Sequence, residues 1–151
     1  MTLLETIRSI ESVASQQPPV NMIVRNDIFR LNAVPDARYG VFAWLQREHS
    51  GNVASSLFTY AFTFFYVDRL TEDKSNQMEV QSVGIETLDN IIRTLDEKGV
   101  SVDSDYTIQV FNQKFSDECA GAFCNVRLSV PVASACPEEY DFPINPNILI
   151  L

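Results

Sequence analysis

Near the start of the chain, Leu3, Ile7, Ile10 and Ala14 recur at alternating steps of three and four, with Leu4 beside them and Glu5, Arg8 and Glu11 on other faces. That 3.6-residue period predicts an amphipathic helix, stopped before Pro18-Pro19 because proline breaks the helical ladder. Short strand candidates follow at 20–24 and 28–31, with Asn26-Asp27 as a turn between them. Residues 34–40, carrying Pro35, Asp36 and Gly40, read as a loop. Residues 40–47 are strand-like in their β-branched and aromatic content, and 49–52 (HSGN) read as a hairpin turn because Gly and Asn tolerate positive φ.

The clearest pattern lies over 53–68. Phe58, Tyr60, Phe62, Phe64 and Tyr66 occupy even positions, while Ser55, Thr59, Ala61 and Thr63 occupy odd ones. Period two over that length predicts a long strand with one aromatic, core-facing side. Asp73 and Ser75 are candidate caps for a second helix running to Lys98, with Met78, Ile85, Leu88, Ile92 and Leu95 as its stripe and Gly99 just past its end. Residues 102–106 read as a turn into a strand through Ile108 and Val110. A last strand is expected over 122–132, with Cys124, Val126, Leu128 and Val130 on one side and Asn125, Arg127 and Ser129 on the other.

The order α-β-β-β-β-α-β-β predicts an α+β fold, a mostly antiparallel sheet flanked by two helices. It fits one domain over 1–134, followed by an extended C-terminal arm over 135–151. The arm is proline-limited but ends in Ile148, Leu149, Ile150 and Leu151. Four bare aliphatics cost roughly 1.5 to 3 kcal/mol each to leave in water. They must therefore pack on the chain's own body or reach a neighbouring chain by strand addition.

Charge narrows the partners. Twenty acidic residues against eleven basic ones give a net charge of −9, the wrong sign for gripping phosphates. No apolar run approaches a membrane span, and no signal-peptide pattern is visible. Three cysteines, an odd number, read as reduced thiols in a cytoplasm.

Candidate chemistry is sparse. The lone histidine, His49, excludes a multi-histidine metal site and falls in the expected hairpin turn as a solvated polar residue. Cys119, Cys124 and Cys136 lack paired zinc-ribbon spacing and read as small apolar residues, although a thiol enzyme pairing Cys119 or Cys124 with His49 is a rival reading. No glycine-rich phosphate loop exists. The expectation is a non-enzyme with no cofactor and no metal.

Three segments carry a resemblance: Tyr60-Ala-Phe-Thr-Phe-Phe-Tyr-Val-Asp-Arg-Leu70, Ser82-Val-Gly-Ile-Glu-Thr-Leu-Asp-Asn-Ile-Ile92 and Phe115-Ser-Asp-Glu-Cys-Ala-Gly-Ala-Phe-Cys-Asn-Val126. Together with the element order, over roughly residues 40 to 140, they resemble tail-terminator and head–tail connector (neck) proteins of tailed bacteriophages. The three segments also look like small structural proteins of Bacteroidetes phages, crAss-like phages included. The resemblance implies a virion protein assembled in the host bacterial cytoplasm, forming a homo-oligomeric ring on the order of six or twelve copies. Other neck, portal or tail proteins would be its neighbours, and DNA would pass without specific binding. The interface candidates are Thr59, Ala61 and Thr63 on the outward strand face, His49 and Asn52 at the hairpin, and Ile148, Leu149, Ile150 and Leu151 in the arm. Glu72 and Asp73 are the candidates for a DNA-facing lumen. The rival from another class is a cytoplasmic adaptor that binds a partner chain at a sheet edge, with no membrane involved.

Overall fold

The computed structural model describes residues 1–28, 38–112, 118–132 and 142–151. Two helices, α1 (Leu3–Ser15) and α2 (Gln77–Glu97), accompany seven strands: β1 (Met22–Arg25), β2 (Val41–Asn52), β3 (Leu57–Arg69), β4 (Ser101–Val102), β5 (Ile108–Asn112), β6 (Cys119–Pro131) and β7 (Leu149–Ile150). They form one mixed sheet in the order β4-β6-β3-β2-β1-β7, with β5 beside β4 on the outer side of β6. Pairing is antiparallel from β2 through β6 and parallel where β1 meets β2 and β7. The fold is α+β. Three strands, not four, lie between the helices among the described residues: Ile28 is not in a strand, and 29–31, like most of the expected loop at 34–40, lie outside those residues.

The aromatic face of β3 organises the core. Tyr60, Phe62, Phe64 and Tyr66 are buried against Ile10, Val13 and Ala14 of α1 and Leu88, Ile91, Ile92 and Leu95 of α2. Edge-to-face rings join β2 to β3: Phe42 to Phe64 at 5.3 Å and Trp44 to Phe62 at 6.0 Å. That geometry suits the ring quadrupole and adds to the area term. The odd face of β3 is less open than its small side chains suggest. Val67 belongs to a second cluster with Met22, Val24, Val41 and Ala43 on the sheet's other side.

α1 starts with a reciprocal cap. The Glu5 amide donates to Thr2 Oγ1 (3.2 Å) and the Thr2 amide donates to Glu5 Oε2 (2.6 Å). The Thr2 amide is the main reason the Glu5 carboxyl lies below its ordinary range. α2 corrects the expected stripe and caps. Its N-cap is Asn76, without a side-chain cap bond, and its buried line is Val80, Gly84, Thr87, Leu88, Ile91, Ile92 and Leu95. Met78 and Ile85 are exposed instead. The helix is turned toward the sheet by Gly84, where a side chain would press on Tyr66 and Ala122. Lys98 is the C-cap and Gly99, at φ 89°, takes the left-handed conformation that ends the helix.

Candidate functional site

The long hairpin of β2 and β3 is the most prominent surface feature. At about 3.3 Å per residue it spans roughly 40 Å. Its first half is core, Val41 to Trp44 being buried, whereas Gln46, Arg47, Glu48, Ser50, Gly51 and Asn52 are exposed. The hairpin turn is not at 49–52. β2 continues through Asn52, whose Oδ1 accepts from the Ala54 and Ser55 amides, and the chain reverses over 53–56 with Val53 wholly exposed. An Asx-type bond made by the last strand residue moved the turn four residues along.

A bulge between Gln46 and His49 resets the register, so that Gln46 faces Phe62 and His49 faces Tyr60. His49 is therefore a strand residue and not a solvated turn residue. Its ring packs edge-on to Tyr60 at 5.2 Å, its Nε2 lies 3.3 Å from Gln46 Oε1, and its Nδ1 is buried without a partner. The same bulge points Glu48 outward, where Arg127 of β6 reaches it at 3.2 Å.

That ion pair accounts for Ala61. Ala61 sits on β3 opposite Arg127, under the bridge, and is buried. It is not part of an open outward face. Thr59 and Thr63 flank it and are spent on cross-strand bonds, Thr59 Oγ1 to Ser129 Oγ at 3.2 Å and Thr63 Oγ1 to Asn125 Oδ1 at 2.7 Å. β3 is paired on both sides, so its backbone offers no edge.

The described part of the arm packs on its own chain. Ser12 Oγ donates to the Pro143 carbonyl (2.8 Å), and the Asn145 amide donates to Ser15 Oγ (3.3 Å). Leu149 and Ile150 then pair parallel to Met22 and Ile23. The Leu151 amide donates to the Ile23 carbonyl and the Arg25 amide to the Leu151 carbonyl. Ile148 and Ile150 join the helix-side core; Leu149 and Leu151 join the other cluster. The expected domain boundary at 134/135 lies outside the described residues.

Glu72 and Asp73 are exposed in the turn between β3 and α2. Asp73 is occupied there: Thr71 Oγ1 donates to its Oδ1 at 2.7 Å and the Ser75 amide at 3.1 Å, the first of these being the main cause of a carboxyl below its usual range. Asp73 and Ser75 thus shape the turn without capping α2.

The thiols are placed apart from the histidine. Cys119 and Cys124 are buried, and burial pushes the Cys124 thiol up to about 11. Cys124 pairs with Phe64 on one side of β3 while His49 pairs with Tyr60 on the other, a separation of roughly 16 Å by strand spacing. Cys136 lies outside the described residues. Among those residues, no group of three or more His, Cys, Asp or Glu side chains is placed to hold a metal ion, and no helix is long and apolar enough to cross a membrane.

Two shallow clefts are lined by described residues. One of about 250 Å³ lies between α1 and the end of α2, lined by Ser9, Ser12, Lys98 and Phe142 among others. The other, of about 300 Å³, lies beside Tyr106, Arg93, Asp96 and Asp103. At its margin the Tyr106 hydroxyl and Arg93 both bond to Asp89 and hold that carboxyl below its ordinary range, Tyr106 contributing most.

One buried constellation went unforeseen. Glu11, expected on a polar face, is buried and receives Arg25 Nε at 2.6 Å, Arg25 Nη2 at 2.7 Å and Trp44 Nε1 at 3.1 Å. Its hydrogen bonds are the main reason the Arg25 guanidinium is pushed up. The signal was available: Glu11 is four residues past Ile7 and three before Ala14, which places it on the margin of the apolar stripe. With these sites in view, no protein-family model matches the chain and no curated protein is similar to it.

Proposed function

We propose that the chain is a structural virion protein of the phage head–tail interface, a tail-terminator-like or other neck ring component that assembles with copies of itself. One observation carries the reading. β1 covers β2 only as far as Trp44, so the distal half of β2 runs on with exposed polar residues and no described strand on its outer side, and the hairpin ends in the exposed Val53 and Leu57, an edge and a tip open to a neighbour. Of the interface candidates, Asn52 lies on this hairpin and His49 stiffens its root against Tyr60. The net charge of −9 is compatible with a lumen that repels the duplex, with exposed Glu72 among its candidates. The reading assigns no catalysis and no cofactor.

Light scattering across concentration, with negative-stain images of the largest species, tests it. Rings with a central hole, lost when Val53→Asp and Leu57→Asp are introduced into a chain that keeps its circular dichroism, support the proposal. A monomer at every concentration, unaffected by those substitutions, overturns the hairpin's role. The adaptor reading is favoured by a different observation, the outer side of β5, beside which no described strand lies.

A further inference from the structure

The two edges of the sheet are finished differently. At one, the chain lays its own β7 against β1. At the other, β5 pairs with β6 and no described strand lies beyond it. Exposed edges are ordinarily blunted by lysine, proline, a bulge or an inward charge. β5 reads Ile108-Gln109-Val110-Phe111-Asn112, with none of these.

An apolar strip runs beside that edge. Gln81 Nε2 of α2 donates to the Phe111 carbonyl at 3.3 Å, and Asp89 of α2 accepts from the Tyr106 hydroxyl just before β5. Ile85 stands one helical turn from each and is thereby bracketed against β5. It is 41 % exposed, Val110 of β5 is 46 % exposed, and Met78, two turns before Ile85 on the same helix face, is 81 % exposed. Three large apolar side chains along one uncharged strand edge make a recognition surface for an added strand: backbone groups supply affinity and the strip reads alternate side chains.

The surrounding charge selects the occupant. From α2 through β5 the carboxylates are Glu79, Glu86, Asp89, Asp96, Glu97, Asp103 and Asp105, against Arg93 and Lys98 alone. Glu79 and Glu86 lie one step round the helix from the strip and are exposed. A second copy, itself at −9, meets this field with like charge. We infer that the open edge of β5, with Met78, Ile85 and Val110, binds an extended segment of another protein that alternates apolar residues with Lys or Arg. The apolar side chains would cover the strip while the cationic ones reach Glu79 and Glu86, with steering that weakens as salt rises. This inference stands apart from the ring assembly, which uses the hairpin.

The test uses the full chain and two short synthetic peptides, one alternating Val with Lys and one alternating Val with Glu. Amide shifts are followed by NMR, with fluorescence anisotropy for affinity. The expected result is binding of the Val/Lys peptide alone, with shifts confined to β5 and to α2 around Met78 and Ile85. Ile85→Lys and Val110→Lys, both at exposed positions, should each weaken it about tenfold, while Val53→Lys at the hairpin tip leaves it unchanged. No binding, equal binding of the Val/Glu peptide, or shifts centred on Leu149 to Leu151 would each overturn the inference. So would concentration-dependent shifts of β5 without peptide, which would make a second copy the occupant.

Discussion

Replacing Arg25 by Met leaves the Glu11 carboxylate, whose side chain is 2 % exposed, with one donor of its three, Trp44 Nε1 at 3.1 Å. Removing one member of a buried pair costs about 3–5 kcal/mol because the other charge stays in a low dielectric. The Arg25 side chain is itself 50 % exposed, so water can enter from its side and the lower end, about 3 kcal/mol, is expected. Glu11→Met is a different perturbation: Arg25 turns to solvent, and the loss is the acceptor for a buried indole N–H, about 1–2 kcal/mol. The double variant removes the carboxylate's demand together with its partner and should cost about as much as Glu11→Met alone. Arg25→Met is therefore expected to be less stable than the double variant by about 1–2 kcal/mol, a sign that simple addition forbids. Urea unfolding measures all three, followed by far-ultraviolet circular dichroism because Trp44, the single tryptophan, sits at the altered site. A double variant that costs the sum of the singles, or an Arg25→Met loss under about 1 kcal/mol, would refute the reasoning.

Gly121→Ala should destabilise by about 3 kcal/mol or prevent folding, since a Cβ there would overlap the Tyr66 carbonyl of the paired strand; the urea midpoint reports it. Burial raises the half-buried Asp68 carboxyl, against the opposing Arg69 amide and Tyr66 hydroxyl. A raised folded value makes this stabilising contribution complete below the unfolded pKa of about 4 and lost as pH rises through the folded value. The stability difference between the wild-type chain and Asp68→Asn should accordingly fall over that window, and a flat difference counts against it. Cys124, with its thiol pushed up to about 11, should react with iodoacetamide far more slowly in the folded chain than in urea; rapid native labelling would revive the thiol-enzyme reading.

The aromatic strand is legible because five aromatics at alternate positions favour one arrangement, a face turned to the core, which buries Tyr60, Phe62, Phe64 and Tyr66 and partly covers Phe58. Its partner helix was harder. A hydrophobicity stripe counted Met78 and Ile85 as core, whereas the contact line runs through Gly84 and Thr87, small residues that carry no apolar signal yet let α2 approach Tyr66 and Ala122. The hairpin turn lies beyond its expected place because Ser50-Gly51-Asn52 has turn composition, and only the structure shows the Asn52 side chain accepting from the Ala54 and Ser55 amides from inside the strand. Glu11 was assigned to water by its charge, since its partners lie 14 and 33 positions away. Open sheet edges depend on strand order, which periodicity does not encode, and so the strip beside β5 had no sequence signature as a site.

The contacts that hold α1 to the distal arm join residues 130 and 131 apart in sequence. Closing a loop of that length in the unfolded chain costs about 4 kcal/mol of chain entropy, set against two hydrogen bonds, a two-residue strand and the partial burial of Ile148 to Leu151, all of which form only when the arm docks. Folding should thus build the β2–β3–β6 centre first and fasten this clasp last. In native-state hydrogen exchange the Leu151 and Arg25 amides, which bond across the β1–β7 seam, should open at a free energy well below that of the amides of β3. Exchange in that order would describe a stable centre with one margin that opens as a latch while the rest stays folded.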